Sequence, residues 1–156
     1  MTGTCFADTN LLVYARDSSE PEKQARAREW IAYLWKSHSG RTSVQVLNEY
    51  YWVVTHKLSA ALPCEDARQD IRDLKAWDPV WLDEDLLGRA WVVEDRYQLA
   101  YWDALIVAAS HVAGCRYLLT EDLTRGQDLG GVEVVDPFQT GPSHLGRASG
   151  SPFPVA

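Results

Sequence analysis

Four acidic residues stand at the edges of apolar runs, and they are the side chains of this sequence best suited to chemistry. They are Asp8, Glu49, Asp103 and Asp122. A carboxylate beside an apolar segment is costly unless it is paired or binds a cation. Four carboxylates brought together would repel one another, and a bound divalent ion would relieve that repulsion. Because oxygen-only ligands suit these ions, the sequence predicts a site for Mg²⁺ (or Mn²⁺).

The elements that must position these acids alternate between strands and helices. This alternation predicts an α/β fold, a three-layer α/β/α sandwich with a central parallel sheet. Asp8 and Asp122 each follow an apolar strand, and the carboxyl ends of parallel strands meet at one rim of a sheet. Asp103 is predicted to begin an apolar helix that Gly114 closes, and Glu49 lies early in another helix. All four acids are therefore expected at the same rim.

Further elements follow from turn residues and apolar periodicity. A helix is predicted to start near Pro21 and to end at Gly40. On the helix that carries Glu49, the predicted core stripe is Val44, Leu47, Tyr51, Val54 and Leu58. The remaining expected elements are a strand at 41–43, a helix at 64–76, a strand at 79–82, a helix from 84 to about 98, and strands at 116–120 and 132–135.

Length and composition fit one domain followed by a tail. The chain has 156 residues, of which 46% are hydrophobic, and no internal repeat is visible. Residues 1–138 are expected to form the domain. Residues 139–156 are rich in Gly, Pro and Ser, which predicts a flexible C-terminal tail.

Charge, cysteines and hydropathy bound the class of protein. The formal net charge is −7, which disfavours non-specific binding to a nucleic acid duplex. Three widely spaced cysteines predict reduced thiols rather than disulfides or a zinc site. The apolar runs are too short to cross a membrane and no signal peptide is visible, so a cytoplasmic location is expected.

Each acid also has an ordinary structural explanation. Asp8 and Asp103 would serve as helix N-caps, Glu49 as a solvated helix residue, and Asp122 as a turn residue. The functional interpretation rests on the combination, since all four are predicted at one edge of the sheet.

The sequence segments around these acids resemble the motifs of a known protein family. They read ADTNLLVYA, TSVQVLNEYYWV, YWDALIVAAS and LLTEDLTRGQ, followed by GVEVVDPF. In order and spacing they resemble the PIN-domain ribonucleases, most closely the VapC-type toxins of toxin–antitoxin pairs. The similarity covers about residues 4–138. It departs from the family pattern at Ala100-Tyr101, which replace a serine before Trp102.

The resemblance implies a PIN-like fold and a metal-dependent endoribonuclease that acts as a toxin. It makes Asp8, Glu49 and Asp103 the core catalytic and metal-binding residues, with Asp122 completing the site or binding through water. The polar side chains expected to hold these carboxylates or a metal-bound water are Thr9, Asn10, Ser43 and Thr120.

The resemblance also implies partners: an RNA substrate, a second copy in a homodimer, and a small antitoxin protein that inserts a helix and a basic side chain. We expect the antitoxin groove to include Trp30, Trp35 and Tyr51. Trp52 and Trp102 neighbour site acids, and they either stack on a base or, as is more usual, pack against the wall of the site.

Two further sets of residues have more than one interpretation. Arg16, Arg41 and Arg125 either contact substrate phosphate or, as is more usual, are ordinary surface arginines. Trp30, Trp35, Trp77, Trp81 and Trp91 are expected in the core or at an interface.

Other functions fit less well. A PIN fold that has lost catalysis and only docks RNA or protein is the main alternative, and the presence of all four acids argues against it. A phosphoaccepting receiver domain would require a lysine after a late strand, and 116–136 contains none. A metal phosphatase would require DxD after the first strand, where Asp8-Thr9-Asn10 stands.

Overall fold

The sheet has four parallel strands. In the computed structural model, which describes residues 3–145, they are β1 (Cys5–Ala7), β2 (Gly40–Arg41), β3 (Tyr117–Leu119) and β4 (Glu133–Val135). Their order is β2-β1-β3-β4, so β1 and β3 are central. Ala7 pairs with Leu119, and Leu119 pairs with Val135. The residues that follow β1 and β3 therefore emerge side by side.

Six α-helices connect and cover these strands. They are α1 (Thr9–Tyr14), α2 (Pro21–Ser37), α3 (Val44–His56), α4 (Cys64–Leu74), α5 (Glu84–Tyr97) and α6 (Tyr101–Val112), with a 3-10 helix at Lys75–Trp77. Helix α1 packs against α2 and α3, and α3 also packs against α4. Helix α5 packs on α6. The expected α/β/α sandwich with a parallel sheet is confirmed.

The core forms where the apolar runs predicted it. The central strands are fully buried, with Phe6, Leu118 and Leu119 inaccessible to solvent. Helix α6 buries every residue from Ala104 to Ser110, as expected for a helix that is apolar on most faces. Gly114, with φ of +69°, follows its end as expected.

The predicted end of α2 at Gly40 is wrong. The helix ends at Ser37, and the C-cap residue His38 takes the left-handed conformation and donates its backbone N–H to the carbonyl oxygens of Leu34 and Trp35. Gly40 instead lies in β2, against the indole ring of Trp77. A Cβ on Gly40 would come within 2.7 Å of that ring, so the glycine is required by close packing rather than by a turn.

The strand predicted at 79–82 is also wrong. Val80 makes only an isolated parallel bridge with Ser43. Trp81 and Leu82 are exposed. An apolar run alone does not distinguish a strand from an exposed loop.

The core stripe predicted on α3 is rotated from the observed one. Leu47 and Val54 are buried as predicted, but Val46 and Tyr50 complete the buried face. Val44, Tyr51 and Leu58 are only partly buried. The helix packs between α1 and α4, and these two contacts select a different face from the one that hydrophobicity alone favoured.

The tryptophans divide between core and surface. Trp30 and Trp77 are buried, which confirms the core expectation for these two. Trp35, Trp81 and Trp91 reach the surface, so a core position for them is wrong. An interface role for these three stays a prediction.

The first residues of the expected tail pack on the domain. Leu145 is fully buried, and the indole N–H of Trp30 donates to the carbonyl oxygen of Thr140 at 2.9 Å. The flexible tail expected at 139–156 stays a prediction, and residues 146–156 of it lie outside the described residues. Within 3–145, no helix has the length and apolar character needed to cross a membrane.

Candidate active site

Asp8 is the buried centre of the acidic cluster. It follows β1, and its backbone N–H donates to the carbonyl oxygen of Leu119 at 3.2 Å. Its Oδ1 accepts the backbone N–H of Thr9 at 2.7 Å, which makes Asp8 the N-cap of α1. Its Oδ2 accepts the hydroxyl of Thr120 at 2.8 Å. The expected N-cap role and the expected site position therefore apply to the same residue.

Burial sets the electrostatics of Asp8. It raises the pKa of the carboxyl from 3.8 to about 6, while the hydrogen bonds from Thr120 and Thr9 oppose the rise. The negative charges of Asp122 and Glu49 raise this pKa further. Asp8 is thus held in a place where a nearby positive charge would be strongly favoured.

Glu49 projects from the exposed side of α3 toward α1. Its Oε2 accepts the hydroxyl of Thr9 at 2.9 Å, and its Oε1 accepts the amide of Gln45 at 3.3 Å. Gln45 is one helical turn before Glu49, so the helix itself brings these two side chains together.

Asp122 follows β3 and faces α1. Its Oδ2 accepts the amide of Asn10 at 3.1 Å, and its backbone N–H donates to the hydroxyl of Thr120 at 3.1 Å. Partial burial raises the pKa of Asp122, and the charges of Glu121 and Glu49 add to the rise. Thr120 contacts both strand-end acids, because it lies opposite Asp8 across the β1–β3 ladder.

Asp103 lies in the first turn of α6. The helix begins at Tyr101 with Ala100 at the N-cap, so the expectation that Asp103 begins this helix is wrong by two residues. The carboxylate is half-buried. Burial raises its pKa, and the charge of Asp122 raises it further. The charges of Asp103 and Asp122 therefore interact.

Three of the four expected supporting residues contact the acids. Thr9, Asn10 and Thr120 donate to Glu49, Asp122 and Asp8 respectively. Ser43 differs, because its hydroxyl accepts the backbone N–H of Val46 at 3.2 Å and caps α3. The structure therefore shows Ser43 as the N-cap of α3.

Lys23 is a residue near the site that sequence reasoning missed. Its ammonium donates to Glu121 at 2.9 Å and lies 4.5 Å from the centre of the Tyr14 ring. Glu121 thus points to Lys23, while Asp122 points to Asn10. A pair separated by 98 residues leaves no local signal in the sequence.

The arginines considered for phosphate binding are engaged within the protein. Arg16 forms a two-pronged ion pair with Asp70 on α4. Arg41 donates to the carbonyl oxygen of Gly40, and Arg125 donates to the side chain of Gln139. These contacts favour the ordinary surface role for all three.

The chemistry of the cluster fits a hard divalent cation. Its donors are carboxylate and amide oxygens, and Asn10 Oδ1 is buried without a hydrogen-bond partner. Among residues 3–145, however, no three His, Cys, Asp or Glu side chains are already close enough together to hold a metal ion. Binding therefore requires side-chain movement, which the exposed Glu49 and Asp122 and the half-buried Asp103 allow.

Comparison with known proteins agrees with this geometry. A toxin–antitoxin complex from Klebsiella pneumoniae has a chain that superposes with a TM-score of 0.60 at 18% identity, over 86% of this chain and 98% of that one. VapC20 of Mycobacterium tuberculosis, described as a sarcin-ricin loop cleaving toxin, gives 0.59 at 19% identity, over 76% and 90%. At this identity the likeness shows the fold.

No curated protein matches the sequence significantly. The PIN domain family, in contrast, matches residues 5–124, which contain all four acids and most of the chain. The sequence motifs, the parallel sheet and the cluster at its rim agree with that match, and the chain belongs to the PIN domain family.

Proposed function

We propose that this protein is a metal-dependent endoribonuclease that hydrolyses RNA phosphodiester bonds and acts as the toxin of a toxin–antitoxin pair. The observation that carries the proposal is the buried Asp8, whose pKa is raised by burial and by Asp122 and Glu49. A structural carboxylate would be expected to have a cationic partner at this position. Asp8 is instead surrounded by other acids, which suits a site built for a cation and a phosphate.

The position of each residue indicates its role in the proposed reaction. Asp8, Glu49 and Asp103, with Asp122, would hold Mg²⁺ or Mn²⁺. A cation held there supplies electrostatic stabilisation of the charge that develops on the phosphodiester. Thr120 orients Asp8, and Asn10 orients Asp122, so that their oxygens stay at the rim of the sheet.

The structural neighbours support the biological role. One belongs to a toxin–antitoxin complex, and the other is described as a toxin that cleaves the sarcin-ricin loop. We extend the class of activity to this chain, together with an antitoxin partner and the homodimer that the family resemblance implies. The particular RNA is left open.

The antitoxin groove is assigned to a cleft of about 790 Å³ between α1, α2, α3 and α4. Trp35 and Tyr50 line it, together with Leu12, Ile31 and Leu74. Trp30 is excluded from the predicted groove because it is fully buried. Tyr51 does not line this cleft, because it lies on the neighbouring face of α3 beside Glu49.

The test is cleavage of total cellular RNA by antitoxin-free protein in Mg²⁺, Mn²⁺ or EDTA. Asp8→Asn and Asp103→Asn should abolish discrete cleavage, whereas the control Asp95→Asn on α5 should leave it intact. Cleavage in EDTA, or equal cutting by all variants, would contradict the proposal. Mapping the ends of the fragments would identify the target.

A catalytically inactive PIN-fold module that docks RNA or protein is the second candidate. It is favoured by the finding that no three acids within 3–145 are already placed to hold an ion. Calorimetric titration with Mn²⁺ separates the two functions. Saturable binding that Asp8→Asn weakens would support the nuclease, and no heat of binding would support the docking module.

A further inference from the structure

Two exposed tryptophans lie close in the sequence to acids of the cluster. Trp52 is 53% exposed and Trp102 is 65% exposed. Trp52 lies three residues after Glu49 on α3, so the two side chains share one face of that helix. Trp102 directly precedes Asp103 in the first turn of α6. These exposed fractions leave ring surface open to solvent, so base stacking, the alternative that the sequence favoured less, is open to both residues.

The ring of Trp52 is held with one face covered. The imidazole of His56 stacks on it, with ring centres 3.8 Å apart and planes 19° apart. His56 Nδ1 lies 2.8 Å from the hydroxyl of Thr55 and 3.2 Å from the carbonyl oxygen of Trp52. The indole is thus braced from one side and remains half-exposed.

Trp52 and Glu49 also share an open pocket. The pocket has a volume of about 520 Å³ and is lined by Thr9, Glu49, Tyr51 and Trp52 among others. It connects a site carboxylate to an exposed aromatic ring. Trp102, which precedes Asp103 in the chain, makes an edge contact with Tyr101 at 5.4 Å between ring centres, and this contact supports its ring.

The charge of the protein restricts how it can bind RNA. The chain carries a net charge of −7, and Arg16 and Lys23 are paired with Asp70 and Glu121. Phosphate contacts normally supply much of the affinity for a nucleic acid. Base stacking on aromatic rings is a further source of affinity, and it does not depend on net charge.

We infer that Trp52 and Trp102 are stacking platforms for unpaired bases of the bound RNA. This inference rests on the proposed ribonuclease function and adds to it two residues that position the strand. A base within a duplex is already stacked and cannot reach these rings, so they bind unpaired bases. The rings hold the strand, and the acids act on its phosphate.

The binding test uses a fluorescein-labelled 12-nucleotide oligoadenylate RNA and measures anisotropy in Mg²⁺. The Asp8→Asn variant serves as the parent so that the probe is not cut. Adding Trp102→Leu or Trp52→Leu should weaken binding roughly 5- to 100-fold, because stacking on one ring typically contributes that much. Trp102→Phe and Trp52→Phe should restore most of the affinity, since a phenyl ring still stacks.

The matched control is Trp91→Leu on α5. Trp91 is 55% exposed but is not adjacent to a site acid, so binding should not change. An abasic 12-mer should bind weakly to the parent, and the tryptophan substitutions should not weaken it further. A duplexed probe should also bind weakly.

Several outcomes would overturn the inference. They are no measurable binding of the oligoadenylate by the parent, equal binding by the leucine variants, or equal binding of the abasic probe. A change of oligomeric state in Trp52→Leu by light scattering, with RNA affinity unchanged, would show that this face is a protein interface instead.

The outcomes for the ribonuclease and for the stacking site can be told apart. If wild-type protein does not cut total RNA but the tryptophan variants lose the oligoadenylate, the stacking site stands and the nuclease does not. If RNA is cut and the tryptophan variants bind normally, the nuclease stands and the stacking site does not.

Discussion

At the scale of single residues, Asp8 is held at a cost to stability. Its pKa rises from 3.8 to about 6 mainly because of burial. Below pH 3.8 the carboxyl is protonated in both the folded and the unfolded protein. Between pH 3.8 and 6 only the unfolded chain loses the proton, so the folded state becomes less stable as the pH rises. Above pH 6 no further stability is lost.

This cost predicts that Asp8→Asn stabilises the metal-free protein. At pH 7.5 the gain should be about 1–3 kcal/mol, since a shift of roughly two pKa units corresponds to about 3 kcal/mol and the amide loses some hydrogen-bonding strength. Denaturant unfolding in EDTA from pH 4 to 8 measures it. The gain should grow between pH 4 and 6 and then level off. A difference that does not vary with pH would contradict the assigned pKa.

Thr120 supports Asp8 in a way that a second substitution can test. Thr120→Val removes the hydroxyl that donates to Asp8 while keeping the buried shape. Because that hydrogen bond lowers the pKa of Asp8, its loss should raise the pKa and move the acidic limb of the cleavage profile to higher pH. Cleavage at pH 6 should fall about tenfold, as expected for one charge-assisted hydrogen bond.

The control for this prediction is Thr120→Ser, which keeps the hydroxyl. Its pH profile should match that of the wild type. If Thr120→Val lowered cleavage equally at every pH, the residue would act on the structure of the rim rather than on the ionisation of Asp8.

At the scale of elements, short strands place the site. Strands β1 and β3 have three residues each, and their register puts Asp8 beside Thr120. Helix α1 then begins immediately at Thr9 and carries Asn10 back to Asp122. The rim is therefore built by neighbouring strand ends and one helix start. Helices α3 and α6 add Glu49 and Asp103 from either side.

Replacing either of two glycines with alanine tests the packing of these elements, and the two substitutions should change stability in opposite directions. Gly40→Ala should destabilise the protein by about 1–3 kcal/mol, because the new Cβ would meet the buried ring of Trp77 at 2.7 Å. Gly88→Ala should stabilise it by about 0.5–1 kcal/mol, because Gly88 lies inside α5 with no atom near its Cβ position. Thermal unfolding of both variants measures this. Equal effects would contradict the packing of β2 against Trp77.

At the scale of the whole molecule, the cleft and the acidic rim are separate surfaces. The cleft lies between α1, α2, α3 and α4, and Trp35 is 37% exposed on its wall. The inner face of Trp35 packs on Trp77, with ring centres 5.3 Å apart. A half-exposed tryptophan anchored in this way is the kind of residue that dominates a protein interface.

Trp35→Ala is therefore predicted to weaken binding of the cognate antitoxin by about 10- to 100-fold. Calorimetry with the purified antitoxin measures the affinity, and the RNA cleavage of the free variant should remain as in the wild type. Trp91→Ala serves as the control and should bind the antitoxin normally. Unchanged affinity in Trp35→Ala would place the antitoxin elsewhere.

The sequence by itself determined the fold class and the candidate acids. The apolar runs that precede Asp8 and Asp122 indicate strand ends, and the helical periodicity around Glu49 indicates its helix. Both signals are local, because they depend only on residues close together in the sequence. The resemblance of four short motifs to one family added the order of the acids. Apolar runs, helical periodicity and the order of the motifs can all be read from the sequence without knowing any tertiary contact.

Only the tertiary structure decided the contacts between distant segments. The face that α3 buries, the close approach of Gly40 to Trp77, the pair of Lys23 with Glu121 and the exposure of Trp52 and Trp102 all depend on which elements meet. An indole has the same hydrophobicity in the sequence whether a neighbour covers it or not. Its burial depends on the assembled neighbours, and only the structure showed that Trp52 and Trp102 are exposed.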